Sequence, residues 1–406
     1  MVSTPKKVPG LVRRPNKDGT CRHYWEATRR AKSLGFEPPI VPLHETSDGE
    51  IASRCAVLQA DMLEFIAERE GVTGALPRRI TVAMLFREYR ECKESPFQAV
   101  KWNTRRTYSQ MLDTVERACG DVLLEDIRLS TLKQWYDDAR YPEGKGADKP
   151  DRVRTAHGVI SMIRRTIDFG VAAEIAGCDR IDRILSKVSF EAPKPRTSFM
   201  GVADVEQLLI AAEKAERPSL GLGTAIQYEC ALRQRDVIGE WEPVGDDGPR
   251  SAFVLRGRQW VNGLTWSDIS DEWVMTKTTT KTGAIVSFDL QLCPLAFRLL
   301  SAVPAEKRFG PLIIDETAGR PYAEHAYHRE WRKVANAAKI PPGVWNMDAR
   351  AGAATEADDA GASIEGVRRA MGHKDPKTTA RYIRGAGLEQ SRRVATLRVA
   401  HRNKTT

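Results

Sequence analysis

Apolar residues recur at three- and four-residue intervals along most of this chain, a period that belongs to amphipathic helices. Cys55, Leu58, Met62 and Phe65/Ile66 mark a helix over residues 51–70, and the stretch 71–77 breaks the pattern. Between residue 81 and about residue 188 the period predicts five helices. Thr81 caps one that carries Met84, Leu85 and Tyr89, and Asn103 or Thr104 caps a second, with Tyr108, Met111, Leu112 and Val115 on one face. Ser130 opens a third (Leu132, Trp135, Tyr136), a long fourth runs over about 151–176 with Ile160, Ile163, Ile167 and Val171 as its stripe, and a short fifth covers 181–188. Such a series fits a compact helical bundle. Ahead of it, residues 8–27 place an Asn-Lys-Asp-Gly turn between two short segments that read as strands, since the Gly of Asp18-Gly19 accepts the positive φ of a tight turn.

Residues 191–198 (EAPKPRTS) hold two prolines and no apolar period, which reads as a linker. A second region follows, with helices over 202–215 and 221–232 and strands over 263–269, 272–276 and 285–290. Beyond them come a helix near 294–303, a strand at 311–314, and helices over 323–339, 348–360, 363–371 and about 376–400. The Gly-rich stretch 241–262 fits none of these and reads as an insertion loop. The fold class is therefore mostly α or α+β: a helical domain, a mixed domain with a small antiparallel sheet, and an N-terminal β-hairpin module. The expected boundaries are 1–75 for the basic N-terminal segment, 76–190 for the helical domain, 191–199 for the linker and 200–406 for the mixed domain with its tail.

Composition narrows the classes. The chain has 406 residues and 41% hydrophobic content, enough for real cores, so wholesale disorder is excluded. No apolar run approaches the length of a membrane span, and the basic N-terminus lacks the apolar stretch of a secretory signal. The 7 cysteines are scattered without a CxxC pair, which reads as reduced thiols in the cytoplasm, not a disulfide framework or a metal site. The net charge of +9 is unevenly spread: residues 1–32 carry nine basic and two acidic side chains, residues 371–406 carry the same, and the middle is acidic. Basic ends suit a phosphate backbone, although solvated termini have the same composition.

Four short patterns in the second region carry candidate chemistry. Arg233 precedes Asp236 at the end of an apolar helix; Lys281-Thr282-Gly283 lies between two strand-like runs; Arg350 opens a helix of small residues; and Met371-Gly372-His373 is followed nine residues after the His by Tyr382. Singly, each has an ordinary reading as a surface ion pair, a hairpin turn or a packing aromatic. In this order and spacing they resemble the tyrosine recombinase (phage integrase) family, in which an Arg, a hairpin Lys, an HxxR box, a GH dipeptide and a Tyr nucleophile follow one another. The resemblance covers about residues 200–390, and the helical region 81–190 is similar to the family's core DNA-binding domain.

The chemistry explains the set. Cleaving a phosphodiester without metal or other cofactor needs a nucleophile, donors for the phosphoryl oxygens and a proton for the leaving 5′ oxygen. A Tyr oxygen forms a covalent phosphotyrosine that keeps the bond available for rejoining. Guanidiniums match phosphate oxygens as planar forks that stay charged, and a Lys serves as general acid. The resemblance implies Tyr382 as nucleophile, Arg233 and Arg350 as phosphate clamp, Lys281 as general acid with Lys277 as its rival, His373 as a donor to the phosphate, and Asp236 as a group orienting an Arg. It also implies a double-stranded DNA partner, assembly of four copies on two DNA sites through the C-terminal tail, and assistance from an excisionase or a host DNA-bending factor. Such an enzyme, encoded by a bacterium or phage, would work at the nucleoid.

One position departs from the pattern. The box reads Met347-Asp348-Ala349-Arg350, and a thioether cannot accept the Tyr proton as the usual His does. Either water, His373 or a neighbour such as Asn346 takes that proton, or the chain binds DNA and cleaves it poorly, as a regulator would. A type IB topoisomerase shares the chemistry but fits the 81–190 region and linker less well. Arg105, Arg106, Arg164, Arg165, Lys194, Arg196, Lys377 and Arg381 are the candidate DNA contacts, weighed against ordinary exposed helix faces.

Overall fold

Residues 8–16, 21–45, 47–69, 79–144, 146, 148–385 and 387–405 are described in a computed structural model. The chain divides into two compact units, 1–194 and 195–406, and the division falls inside the stretch read as a linker.

In the first unit, Leu11–Pro15, Cys21–Glu26 and Ile40–Leu43 form an antiparallel sheet in sequence order, so the hairpin gains a third strand. The turn expected at Asp18-Gly19 lies outside the described residues, as does the predicted break at 71–77. Helices Arg29–Ser33 and Asp48–Arg69 accompany the sheet, and Trp25, Phe36, Leu43, Cys55 and Met62 form its core.

The bundle follows as helices Val82–Glu91, Trp102–Cys119, Leu129–Arg140, Val153–Ala172 and Cys178–Ser186 around Leu85, Phe86, Leu112, Leu132, Ile160, Ile163 and Ile167. Thr81 Oγ1 accepts from Met84 N at 3.2 Å, as its position predicts. The second helix starts at Trp102, so Asn103 and Thr104 lie inside its first turn and do not cap it. The third starts at Leu129, one residue before Ser130, where Thr131 Oγ1 accepts from Arg128 N at 3.2 Å. A short helix, Pro96–Ala99, escapes the periodicity and is held by Ser95, whose Oγ donates to Tyr89 O at 2.6 Å.

The second unit packs helices Val202–Lys214, Pro218–Glu229, Pro294–Ser301 and Glu324–Ala337 around Leu208, Ile226, Leu264, Met275, Leu300 and Trp331. Val274–Thr278 and Ile285–Asp289 pair as an antiparallel hairpin. The expected strand at 263–269 is instead a single helical turn, Trp266–Asp268, because Asp268 Oδ2 accepts from Thr265 N at 2.7 Å and bends the chain locally. The stretch 241–262 is not a loop: Glu240–Pro243, Arg258–Val261 and Val254–Leu255 form a small antiparallel sheet. Trp260 organises it, buried with its indole N–H donating to Ile238 O at 2.9 Å. The predicted strand at 311–314 shortens to Ile314–Asp315, paired with Arg320–Pro321. The predicted helix over 376–400 is two helices, Pro376–Ala380 and Leu388–Thr405. Positive φ at Gly385 and Gly387 accompanies the break and leaves Tyr382 between them.

Candidate active site

Arg350 sits in the first turn of helix Ala349–Ala360 and is only 2% exposed. A buried guanidinium needs acceptors, and three are present. Nη1 donates to Ala231 O, and Nη2 donates to Met371 O at 2.8 Å and to His373 Nε2 at 2.8 Å. Arg350 thus knits the end of helix Pro218–Glu229 to the Gly-His dipeptide. Its Nε has no acceptor among the described residues. Burial and the neighbouring Arg233 charge bring its pKa down to about 10, so it remains cationic at neutral pH. The Tyr382 ring lies 5.2 Å from the Arg350 guanidinium carbon and 5.2 Å from the His373 ring, tilted by 32°. The described segment therefore brings Tyr382 to Arg350 of its own chain.

His373 is buried, and burial followed by the charges of Arg350, Arg233, Lys281 and Arg368 lowers its pKa to about 4. It is neutral at pH 7. An Arg can only donate, so Nε2 must be the acceptor toward Arg350, and Nδ1 carries the proton and donates to Thr379 Oγ1 at 3.0 Å. His373 was expected to donate to a phosphate. In this arrangement it holds Arg350 as an acceptor instead, because the guanidinium occupies its Nε2 lone pair.

Arg233 precedes helix Gln234–Ile238, and its Nη1 lies 3.8 Å from the fully buried Asp236 Oδ2. Asp236 Oδ1 accepts from Thr280 N at 2.6 Å, so one carboxylate ties Arg233 to the hairpin turn beside Lys281. Gly372 meets that turn from the other side, where Thr282 Oγ1 donates to Gly372 O at 3.2 Å. A Cβ at Gly372 would approach Ala284 and Val286 at 3.3 Å, and its φ of +62° also favours glycine. Lys281 stands exposed on the turn. The rival Lys277 points into the protein, donates to Gly263 O at 2.7 Å and lies 3.9 Å from Asp268. Burial depresses its pKa.

Met347 is 55% exposed at the single turn Asn346–Asp348. Asn346, named above as a substitute base, is buried, with Nδ2 donating to Thr224 Oγ1 at 3.1 Å. Its inward packing removes it from that role. Sequence reasoning missed Thr379, Thr355 and Asp348 as members of the site, although Asp348 lies inside the box. Arg384, two residues after Tyr382, was expected among the basic residues around a phosphate, and its guanidinium bonds to Asp348.

The DNA-contact candidates separate. Arg105 donates to Gln98 O at 2.6 Å, and Arg164 donates to Val188 O at 2.7 Å and Leu185 O at 3.2 Å. Arg196 donates to Gly343 O at 2.8 Å and pairs with Asp348. In all three, backbone carbonyls or a buried carboxylate engage part of the guanidinium. Arg165, Lys194, Lys377 and Arg381 are exposed, and Arg106 is half-buried. Among the described residues no group of three His, Cys, Asp or Glu converges as a metal site, and no helix is long and apolar enough to cross a membrane.

The model of the phage integrase family matches residues 259–387, a span that includes Lys281, Arg350, His373 and Tyr382. This span, about a third of the chain, is similar to the phage integrase family. No curated protein matches the sequence. Among solved structures it is similar to a lambda integrase dimer bound to a COC′ core site, with 15% identity, coverage of 94% of this chain and 96% of that one, and a TM-score of 0.56. It is also similar to a lambda integrase tetramer bound to a Holliday junction (15% identity, 94% and 97% coverage, TM-score 0.55). The Tn1549 transposon integrase in complex with a circular intermediate DNA matches with 12% identity, 78% and 99% coverage and a TM-score of 0.56. At these identities the likeness concerns the fold. The Arg233 pattern precedes the matched span, and the sheet at 240–261 lies between it and Lys281 in the chain.

Proposed function

We propose that this chain is a site-specific DNA recombinase that cleaves and rejoins DNA through a 3′-phosphotyrosyl intermediate, integrating or excising a mobile element. The observation that carries the reading is the placement of Tyr382 against Arg350 and His373 within one chain, with Arg233 and Lys281 acting on the same group. A scissile phosphate would take its two non-bridging oxygens to Arg233 and Arg350, whose buried Nη1 and Nε lack acceptors among the described residues. The Tyr382 oxygen gives its proton to water and attacks phosphorus, the P–O5′ bond breaks, and Lys281 gives the 5′ oxygen its proton and regains one from water. Rejoining reverses each step. The cationic surroundings repel a divalent metal and supply the charge stabilisation such an ion would bring.

Double-stranded DNA is the proposed substrate. The lambda integrase tetramer on a Holliday junction supports assembly of four copies on two sites, and an excisionase or DNA-bending factor would set direction. The chain would act in the cytoplasm, at the nucleoid. A DNA-binding regulator that cleaves poorly is the second reading, favoured by Met347 in place of the proton acceptor.

The test uses a pool of nicked duplexes randomised over the core, from which covalently captured DNA is recovered and sequenced. A denaturant-stable protein–DNA adduct that disappears in Tyr382→Phe is expected. DNA binding without any adduct would leave the regulator as the better reading.

A further inference from the structure

Asp348 lies outside the chemistry proposed above, yet its carboxylate is fully buried and saturated. Oδ1 accepts from Arg384 Nη1 at 2.8 Å and Arg196 Nε at 3.2 Å, and Oδ2 accepts from Arg196 Nη2 and from Trp345 N at 2.9 Å. A buried carboxylate facing two guanidiniums holds both, and either cation left without it would face the other at close range.

Arg384 is the informative partner, because it lies two residues beyond Tyr382. Its guanidinium also donates to Ser198 O, and its backbone N donates to Thr355 Oγ1 at 2.8 Å. The Thr355 hydroxyl in turn donates to Ala351 O at 2.8 Å. Asp348 and Thr355 therefore bracket Arg350, so the stretch that carries the clamp also carries both tethers of the nucleophile's segment. Tyr382 needs tethers. It sits between two helices, and its backbone N makes one turn bond, to Thr379 O at 2.8 Å.

We propose that Asp348 is a positioning residue: through Arg384 it holds the Tyr382 oxygen beside Arg350 and His373, and through Arg196 it fastens the chain entering the unit to the same point. This rests on Tyr382 being the nucleophile. A misplacement of about 1 Å in an attacking atom costs on the order of 100-fold in rate without touching affinity.

The test uses the full chain and the duplex recovered by covalent capture. Asp348→Asn and Arg384→Gln should each slow adduct formation at saturating DNA by about 10- to 100-fold, while equilibrium binding stays within about twofold. The double variant should be no slower than the worse single one, because both changes break one contact. Arg384→Lys should recover part of the rate. A 5′-bridging phosphorothiolate, whose thiolate leaves without a proton, should restore Lys281→Ala and leave Asp348→Asn slow. Melting temperatures report folding, and Arg384→Lys keeps the test open if Asp348→Asn does not fold. An unchanged adduct rate in Asp348→Asn, multiplicative losses in the double variant, or a loss confined to DNA binding would overturn the proposal. If the unsubstituted chain forms no adduct, the recombinase reading falls with it. An active parent with equally active variants removes only the role of Asp348.

Discussion

At the scale of single residues, the most informative side chain is His373. Its pKa falls from 6.5 to about 4 in the folded chain. The group is neutral in both folded and unfolded chains above pH 7. As pH falls through 6.5 the unfolded chain takes up a proton that the folded chain refuses, so stability is lost between pH 6.5 and about 4 and no further below. At 1.36 kcal/mol per pH unit the full effect approaches about 3 kcal/mol. The melting temperature should therefore decline over that window, and His373→Gln should flatten the decline. A parallel decline in the variant would mean that other groups carry it. Met347 gives the complementary prediction. Its side chain is exposed and makes no hydrogen bond among the described residues, so Met347→His adds an imidazole without disturbing a core. Adduct formation should accelerate, within the roughly 10²–10⁴-fold range of a positioned acid or base. An unchanged rate would mean that proton removal does not limit the reaction. Tyr382, Arg350 and His373, which the fold brings together, were legible in the sequence because their order and spacing are regular. The His373 tautomer was not, since it follows from a buried arginine that only the fold brings to Nε2.

At the scale of elements, the Val274–Thr278 and Ile285–Asp289 hairpin gives two lysines four residues apart different surroundings. Strand alternation sends Met275 and Lys277 inward and leaves Lys281 on the turn. Lys281→Ala should slow cleavage of an ordinary phosphodiester by about 10²–10⁴-fold. Lys277→Met should instead change thermal stability, since it removes the bond to Gly263 O, and leave adduct formation near the parent rate. The reverse pattern would exchange their roles. Amphipathic helices were legible within a few residues, because packing repeats along each of them. The sheet at 240–261 was not. Its Gly and Pro content reads as loop, and its order comes from one buried indole, Trp260, bonded across to Ile238. The long C-terminal helix was overextended for the opposite reason: residues on both sides of Tyr382 have helical character, and Gly385 and Gly387 were not weighed as a break.

At the scale of the whole molecule, the basic N-terminus acquires a structure and with it a test. Trp25, Ala27 and Ala31 share a core with Leu43, Cys55 and Met62, so truncation after residue 32 would cut through a folded module and expose its interior. Point substitutions are the cleaner probe. Arg14 and Arg22 are directly paired across the first two strands and are both exposed, an arrangement of like charges that is unfavourable in isolation. A polyanion laid along this face would neutralise both charges. If the module grips DNA, each phosphate contact contributes about −0.9 to the slope of log affinity against log salt. Arg14→Ala with Arg22→Ala should therefore make that slope shallower by about 1.8 on a duplex long enough to reach a second site. On a duplex limited to the captured core the same double variant should bind with the parent slope. Equal slopes on both duplexes would mean that the sheet does not bind DNA, and the charge of residues 371–406, around Tyr382, would then carry the electrostatic attraction.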